Sequence, residues 1–167
     1  MKTSTKKIAY LGLCTTVALV FAYVESLLPP LFAAVPGIKI GLPNIAIIFT
    51  LYKFGLKEAS AVSLVRMVLV ASMFGNPTMF LYSLAGAILS MVAMALLKKS
   101  GFLSSVGVSV AGGVFHNLGQ IILAAIILET AEIGYYMIVL SFAGIISGIF
   151  VGICGNLAVK RISIKFP

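Results

Sequence analysis

The sequence contains no aspartate, a single histidine (His116) and two cysteines, Cys14 and Cys154. Without aspartate it lacks the paired Asp-rich motifs that hold magnesium diphosphate in prenyl synthases. With one histidine and the four acids near the ends of apolar runs, no Ser/His/acid set can be assembled. There is no GxxxxGK[ST] phosphate loop, so the chain does not itself hydrolyse ATP. Each cysteine stands alone in an apolar run, outside any CxxC or CxxCH pattern. They read as buried thiols, not as a disulfide, metal or haem site. A self-contained enzyme is not expected.

Charge is scarce as well. Only 10% of the 167 residues are charged against 61% hydrophobic, and the mean hydropathy is +1.18. That balance excludes a solvated surface and makes lipid the solvent for most of the chain. The net charge of +8 comes from short basic clusters between apolar runs rather than from one basic face, which argues against nucleic acid as a partner.

Apolar runs are abundant. A helix needs about 20 apolar residues to cross the hydrocarbon core. Six segments come near that length: Ile8 to Leu28, Leu42 to Phe54, Lys57 to Phe74, Pro77 to Leu97, Val106 to Leu128 and Ile133 to Val159. They predict an all-α integral membrane bundle of six transmembrane helices, with residues 1–167 as one transmembrane domain. No internal repeat, low-complexity linker or soluble domain interrupts it. The second segment is short, opens on Gly41 and Pro43, and follows Pro29-Pro30 and Pro36-Gly37, so a short, broken or partly re-entrant element is expected there. The basic start and first apolar run could also resemble a secretory signal. Ala33-Ala34 after two prolines is a poor cleavage context, and a retained first helix is expected.

Basic loops stay in the cytoplasm. With the N-terminus inside, the inner face holds ten basic residues: Lys2, Lys6, Lys7, Lys53, Lys57, Lys98, Lys99, Lys160, Arg161 and Lys165. The outer loops hold only Lys39, and Arg66 lies within the third segment. An even number of spans with both termini cytoplasmic follows. The outer loops are then Pro29 to Gly41, Gly75-Asn76 and Glu129 to Glu132.

Ionisable and polar groups at membrane depth are costly, so they mark cavities or partners. Arg66 is too central to snorkel easily to either surface. It either pairs with Glu25 at the outer end of the first helix or faces an anionic ligand. His116, Asn117 and Gln120 lie three and four residues apart, a hydrogen-bonding stripe on one face of the fifth helix. A lone histidine is often a packing residue, but three polar groups on one turn point to a cavity. Asn44, and Asn76 with Thr78, suit helix caps or the rim of an outward pocket. Small residues four apart allow close helix packing in lipid. Gly144, Gly148 and Gly152 read as packing within the bundle, and Ala18 with Ala22 is the same kind of stripe.

From Lys7 to Gly55 the chain resembles the opening of the substrate-binding (S) components of energy-coupling-factor vitamin transporters. The shared features are a basic start, Ala18-x-x-x-Ala22, a proline-rich outer loop, Gly37-Ile-Lys-Ile-Gly-Leu-Pro-Asn44, and a short second helix ending in Phe54-Gly55. More closely it resembles the Gx transporter family, often labelled heptaprenyl diphosphate synthase component I. That likeness rests on Gly37 to Asn44, Asn76-Pro77, Ser83-Leu-Ala-Gly86 with Ser90, and Val108-Ser-Val-Ala-Gly-Gly-Val-Phe-His-Asn-Leu-Gly-Gln120.

The resemblance implies a six-helix, S-component-like bundle in a bacterial cytoplasmic membrane. It binds a small vitamin-like or prenyl- or quinone-related molecule from outside. It docks through Ala18 and Ala22 on a membrane coupling protein served by ATPase subunits. The synthase label conflicts with the missing aspartate. A rival implication is a membrane component of electron transfer from a demethylmenaquinone pool to flavinylated extracellular proteins. That role would use an extracytoplasmic redox partner and a noncovalent quinone or flavin near His116, Phe115, Tyr82 and Phe80. No intrinsic cofactor is implied.

Overall fold

The computed structural model describes residues 5–28, 40–130 and 132–164. Of the expected features, Lys2, Lys39, Lys165 and the outer loop from Pro29 to Lys39 lie outside these residues. Six α-helices run in the order α1 (Thr5–Leu27), α2 (Asn44–Lys53), α3 (Leu56–Met73), α4 (Pro77–Ser100), α5 (Ser105–Leu128) and α6 (Tyr136–Arg161). A single 3-10 turn, Glu132–Tyr135, leads into α6, and there is no strand among the described residues.

Local chemistry explains the boundaries. The Asn76 side chain accepts a hydrogen bond from the Met79 backbone N–H at 2.8 Å, and Pro77 takes the first helical position of α4, where its missing N–H costs nothing. The capping role foreseen for Asn76 is therefore present. Ser104 caps α5 in the same way through the Gly107 N–H. Gly101 ends α4 at φ +68°, and Gly55 turns α2 into α3 at φ +113°. Both are left-handed conformations that favour glycine. The expected start of the last helix at Ile133 moves to Tyr136, because residues 132–135 form the 3-10 turn.

Four of the helices, α1, α4, α5 and the stretch containing α6, are long and apolar enough to cross a membrane. Helix α3 has 18 residues but carries Lys57, Glu58 and Arg66. Helix α2 has only ten residues, and a helix of that length rises about 15 Å, half of the hydrocarbon thickness. Its short, proline-opened character was foreseen. Its position is the new finding: six consecutive residues, Ala46 to Leu51, are all buried, so α2 is a core element enclosed by α1, α3 and α6.

The other helices are built inside out relative to a water-soluble bundle. Large apolar side chains such as Leu96, Ile126, Phe142 and Ile146 point outward and are exposed. The buried faces of α5 and α6 hold Gly112, Gly119, Gly144, Gly148, Gly152 and Gly155. A Cβ at Gly113 would lie 2.5 Å from the Gly144 carbonyl oxygen, and one at Gly148 would lie 2.5 Å from the Val110 Cα. The glycine stripe is thus backbone-to-backbone packing of α5 on α6, as small residues provide in lipid.

Basic residues collect at one end. Lys7 of α1 forms an ion pair with Glu58 of α3, and the Tyr10 and Phe54 rings meet with centroids 6.3 Å apart. Lys98 donates to the Leu51 carbonyl near the end of α2 and lies 4.8 Å from the Tyr52 ring centroid. Leu97, Leu103 and Val159 pack on the same cluster, which brings the ends of α4 and α6 and the start of α5 to this side.

Candidate ligand-binding site

At the opposite end the helices part around a cavity of about 410 Å³. It is reached by the last turns of α1 and α3, the first turns of α2 and α4, and the middle of α5 and α6, so it occupies the half of the bundle away from the basic cluster. All six residues foreseen as ligand-binding line it: Glu25, Asn44, Arg66, His116, Asn117 and Gln120. They come from four helices and up to 95 residues apart in sequence. The volume falls within the range of small-molecule sites.

Two of the polar residues on α5 are fixed by identifiable contacts. Asn117 donates from Nδ2 to the Leu140 carbonyl at 2.6 Å, tying α5 to α6 beside the cavity. The His116 ring lies against Gly86 of α4. A Cβ there would come within 2.9 Å of ring atoms Cε1 and Nδ1 and within 2.7 Å of the His116 carbonyl oxygen. Gly119 approaches Ala85 and Gly86 just as closely. The two sequence motifs Ser83 to Gly86 and Val108 to Gln120 are therefore halves of one helix interface, and that interface seats His116.

Arg66 is the main charge in the cavity wall, and its Nε is buried without a hydrogen-bond partner. The alternative of an Arg66–Glu25 ion pair is not realised. Among the described residues the ion pair within 4.0 Å is Lys7–Glu58. Glu25 accepts a hydrogen bond from the Gly41 backbone N–H instead and so anchors the entry to α2. Glu25 and Arg66 line the same cavity. Asn44 makes no capping hydrogen bond, since Pro43 occupies the cap position, and its side chain is left to the cavity wall.

Ala18 is 0% and Ala22 8% exposed within the bundle, and Ala22 lines the cavity. Their small side chains let α1 approach α2 and α3, and the outward face of α1 carries Leu13, Val17, Val20 and Val24. Of the aromatics, Phe80 and Tyr82 line the cavity, whereas Phe115 points outward. Cys14 is buried, but Cys154 is only half-buried, on α6, and both are free thiols. Sequence reasoning assigned no role to a set of serines beneath Arg66, namely Ser63, Ser90, Ser109 and Ser147. Isolated serines on apolar helices resemble packing residues, and only four assembled helices reveal their convergence.

Apolar outward faces, glycine-mediated contacts and a polar-lined internal cavity define a polytopic helical membrane protein. The chain belongs to the family described as Heptaprenyl diphosphate synthase component I, whose family model matches residues 14–158 and so includes every cavity residue named above. This is the Gx transporter family of the resemblance. No curated protein and no solved structure matches the chain. Among the described residues no group of three or more His, Cys, Asp or Glu side chains could hold a metal ion.

Proposed function

We propose that the chain is a substrate-binding membrane subunit of the S-component type. It takes a small amphipathic molecule with an anionic end into the cavity from the side opposite the basic cluster. The observation that carries this reading is the convergence of Glu25, Asn44, Arg66, His116, Asn117 and Gln120 on one cavity of about 410 Å³. A half-buried arginine whose Nε is enclosed without a partner supports an anionic group on the ligand. Phe80, Tyr82 and Met79 in the same wall suit a flat or apolar body, such as a vitamin-like or prenyl- or quinone-related molecule. Since the sequence has no phosphate loop, ATP hydrolysis falls to partner subunits, and the protein is not itself an enzyme. With Ala18 and Ala22 turned inward, a coupling protein would meet another face of the bundle.

Native mass spectrometry of the purified protein tests the reading. A small molecule is expected to stay with the wild type and to be lost from Ala71→Trp, which fills the cavity from α3. A wild type with no retained molecule, together with normal uptake in deletion cells, would remove it.

Orientation is proposed with the basic end in the cytoplasm of a bacterial cell. In a protein whose own cysteines are replaced by serine, an impermeant maleimide added to intact cells should label Thr130→Cys and spare Ser100→Cys. The opposite pattern would invert the topology and close the proposed route of entry.

A further inference from the structure

Beneath the main cavity is a second chamber of about 40 Å³. Both spaces are lined by Asn44, Arg66, Gly113, His116 and Ser147, which therefore lie at the partition where the two adjoin. Past the partition, three helices each contribute one serine: Ser63 from α3, Ser90 from α4 and Ser109 from α5. They are 5%, 7% and 4% exposed.

A serine or threonine buried in a helix normally bonds its hydroxyl to a carbonyl three or four residues back. Thr50 does so on Ala46 and Ser147 on Gly144. Among the described residues Ser63, Ser90 and Ser109 make no such bond. Their hydroxyls are not closed off by the protein, since the buried side-chain polar atom left without a partner among the described residues is Arg66 Nε, so all three open on the chamber and are available to whatever occupies it.

The surrounding charge selects what the hydroxyls would meet. Among the described residues Arg66, with its own Nε unmet, is the charged residue lining the chamber, and no carboxylate lines it. Glu25 lines the upper cavity only. A cation would face the guanidinium without a counter-charge, and an apolar group would leave the hydroxyls unsatisfied. An oxyanion accepts from all of them at once. A chamber of this size holds on the order of three waters, which suits a carboxylate and excludes a ring system.

We infer that the Ser63, Ser90 and Ser109 chamber seats a carboxylate-sized oxyanion of the ligand. Arg66 holds it from the partition, and the body of the molecule remains above, beside Phe80 and Tyr82. This rests on the reading of the protein as a small-molecule-binding subunit and adds to it the direction of binding: charged end deepest. It also makes the serines, rather than the cavity rim, the discriminator between an acid and its amide.

Benzoate and its neutral isostere benzamide test this, by melting of the detergent-purified wild type and of Ser63→Ala, Ser90→Ala and Ser109→Ala. Benzoate is expected to raise the melting temperature saturably and to bind at least about tenfold more tightly than benzamide. Each serine-to-alanine change should weaken benzoate by about tenfold, the ordinary loss for one hydrogen bond to a charged group. Without benzoate each variant should melt close to the wild-type temperature, because no hydrogen bond within the protein is lost. Equal binding of benzoate and benzamide, or undiminished benzoate binding by the variants, would overturn the inference and leave the small-molecule reading standing. A lower melting temperature with unchanged benzoate affinity would make the serines structural, which also overturns it. If neither probe binds, the inference falls, and the retained-molecule experiment decides the function separately.

Discussion

Gly148→Val is expected to be among the most damaging single substitutions in this protein. A Cβ at Gly148 would sit 2.5 Å from the Val110 Cα and 3.0 Å from the Ser109 carbonyl oxygen. Both are backbone atoms of α5, so no side-chain rotation relieves the clash and the two helices must separate. Overpacking of this kind costs about 1–3 kcal/mol even where side chains can yield, and a branched side chain against backbone belongs at or above the upper end. Separation would also stretch the Asn117–Leu140 hydrogen bond and deform the cavity wall. Gly12→Val is the matched control: a Cβ at Gly12 meets nothing within 4 Å. Melting of detergent-purified protein, followed by size-exclusion chromatography, should show a large loss for Gly148→Val and little change for Gly12→Val. Equal stability of the two variants would mean that α5 and α6 do not pack through glycine.

Arg66→Met should separate binding from stability. If Arg66 holds the anionic end of a ligand, losing it costs about 2–5 kcal/mol, on the order of 30- to 1000-fold in affinity. The unliganded protein should be no less stable, because the substitution replaces a half-buried side chain whose enclosed Nε has no acceptor with an apolar chain of similar length. Retention of the bound molecule by native mass spectrometry, measured beside the melting temperature, checks both halves. A lower melting temperature with retention unchanged would make Arg66 a strut of the bundle.

The contrast between Arg66 and Glu25 shows where sequence reasoning meets its limit. Their types and depths made an ion pair and a ligand-facing arginine comparable alternatives. The choice depended on a third group, the backbone N–H of Gly41, which engages Glu25 from 16 residues further along the sequence. The alanine stripe of α1 behaves likewise. Four-residue spacing says that one face is small, but whether that face meets a partner or the chain's own α2 and α3 depends on which way the helix is turned. The serines lie on separate helices, and no spacing within a single helix relates Ser63 to Ser90 or Ser109.

Helix count, the short second element and the gathering of basic residues were legible because lipid acts on each segment independently. A span must be apolar over its own length, a proline acts on its own neighbours, and a lysine pair is read where it stands. The lack of aspartate and of a phosphate loop needed no structure either. The same local logic brought out Arg66, His116, Asn117, Gln120, Asn44 and Glu25 as polar exceptions in an apolar chain. Only the tertiary structure placed all six around one cavity, enclosed α2 in the core, turned Ala18 and Ala22 inward and set three serines around one chamber beneath Arg66. These outcomes depend on helix rotation and on contacts between distant segments. Apolar outward faces tolerate almost any rotation in lipid, so the glycine contacts inside the bundle decide it.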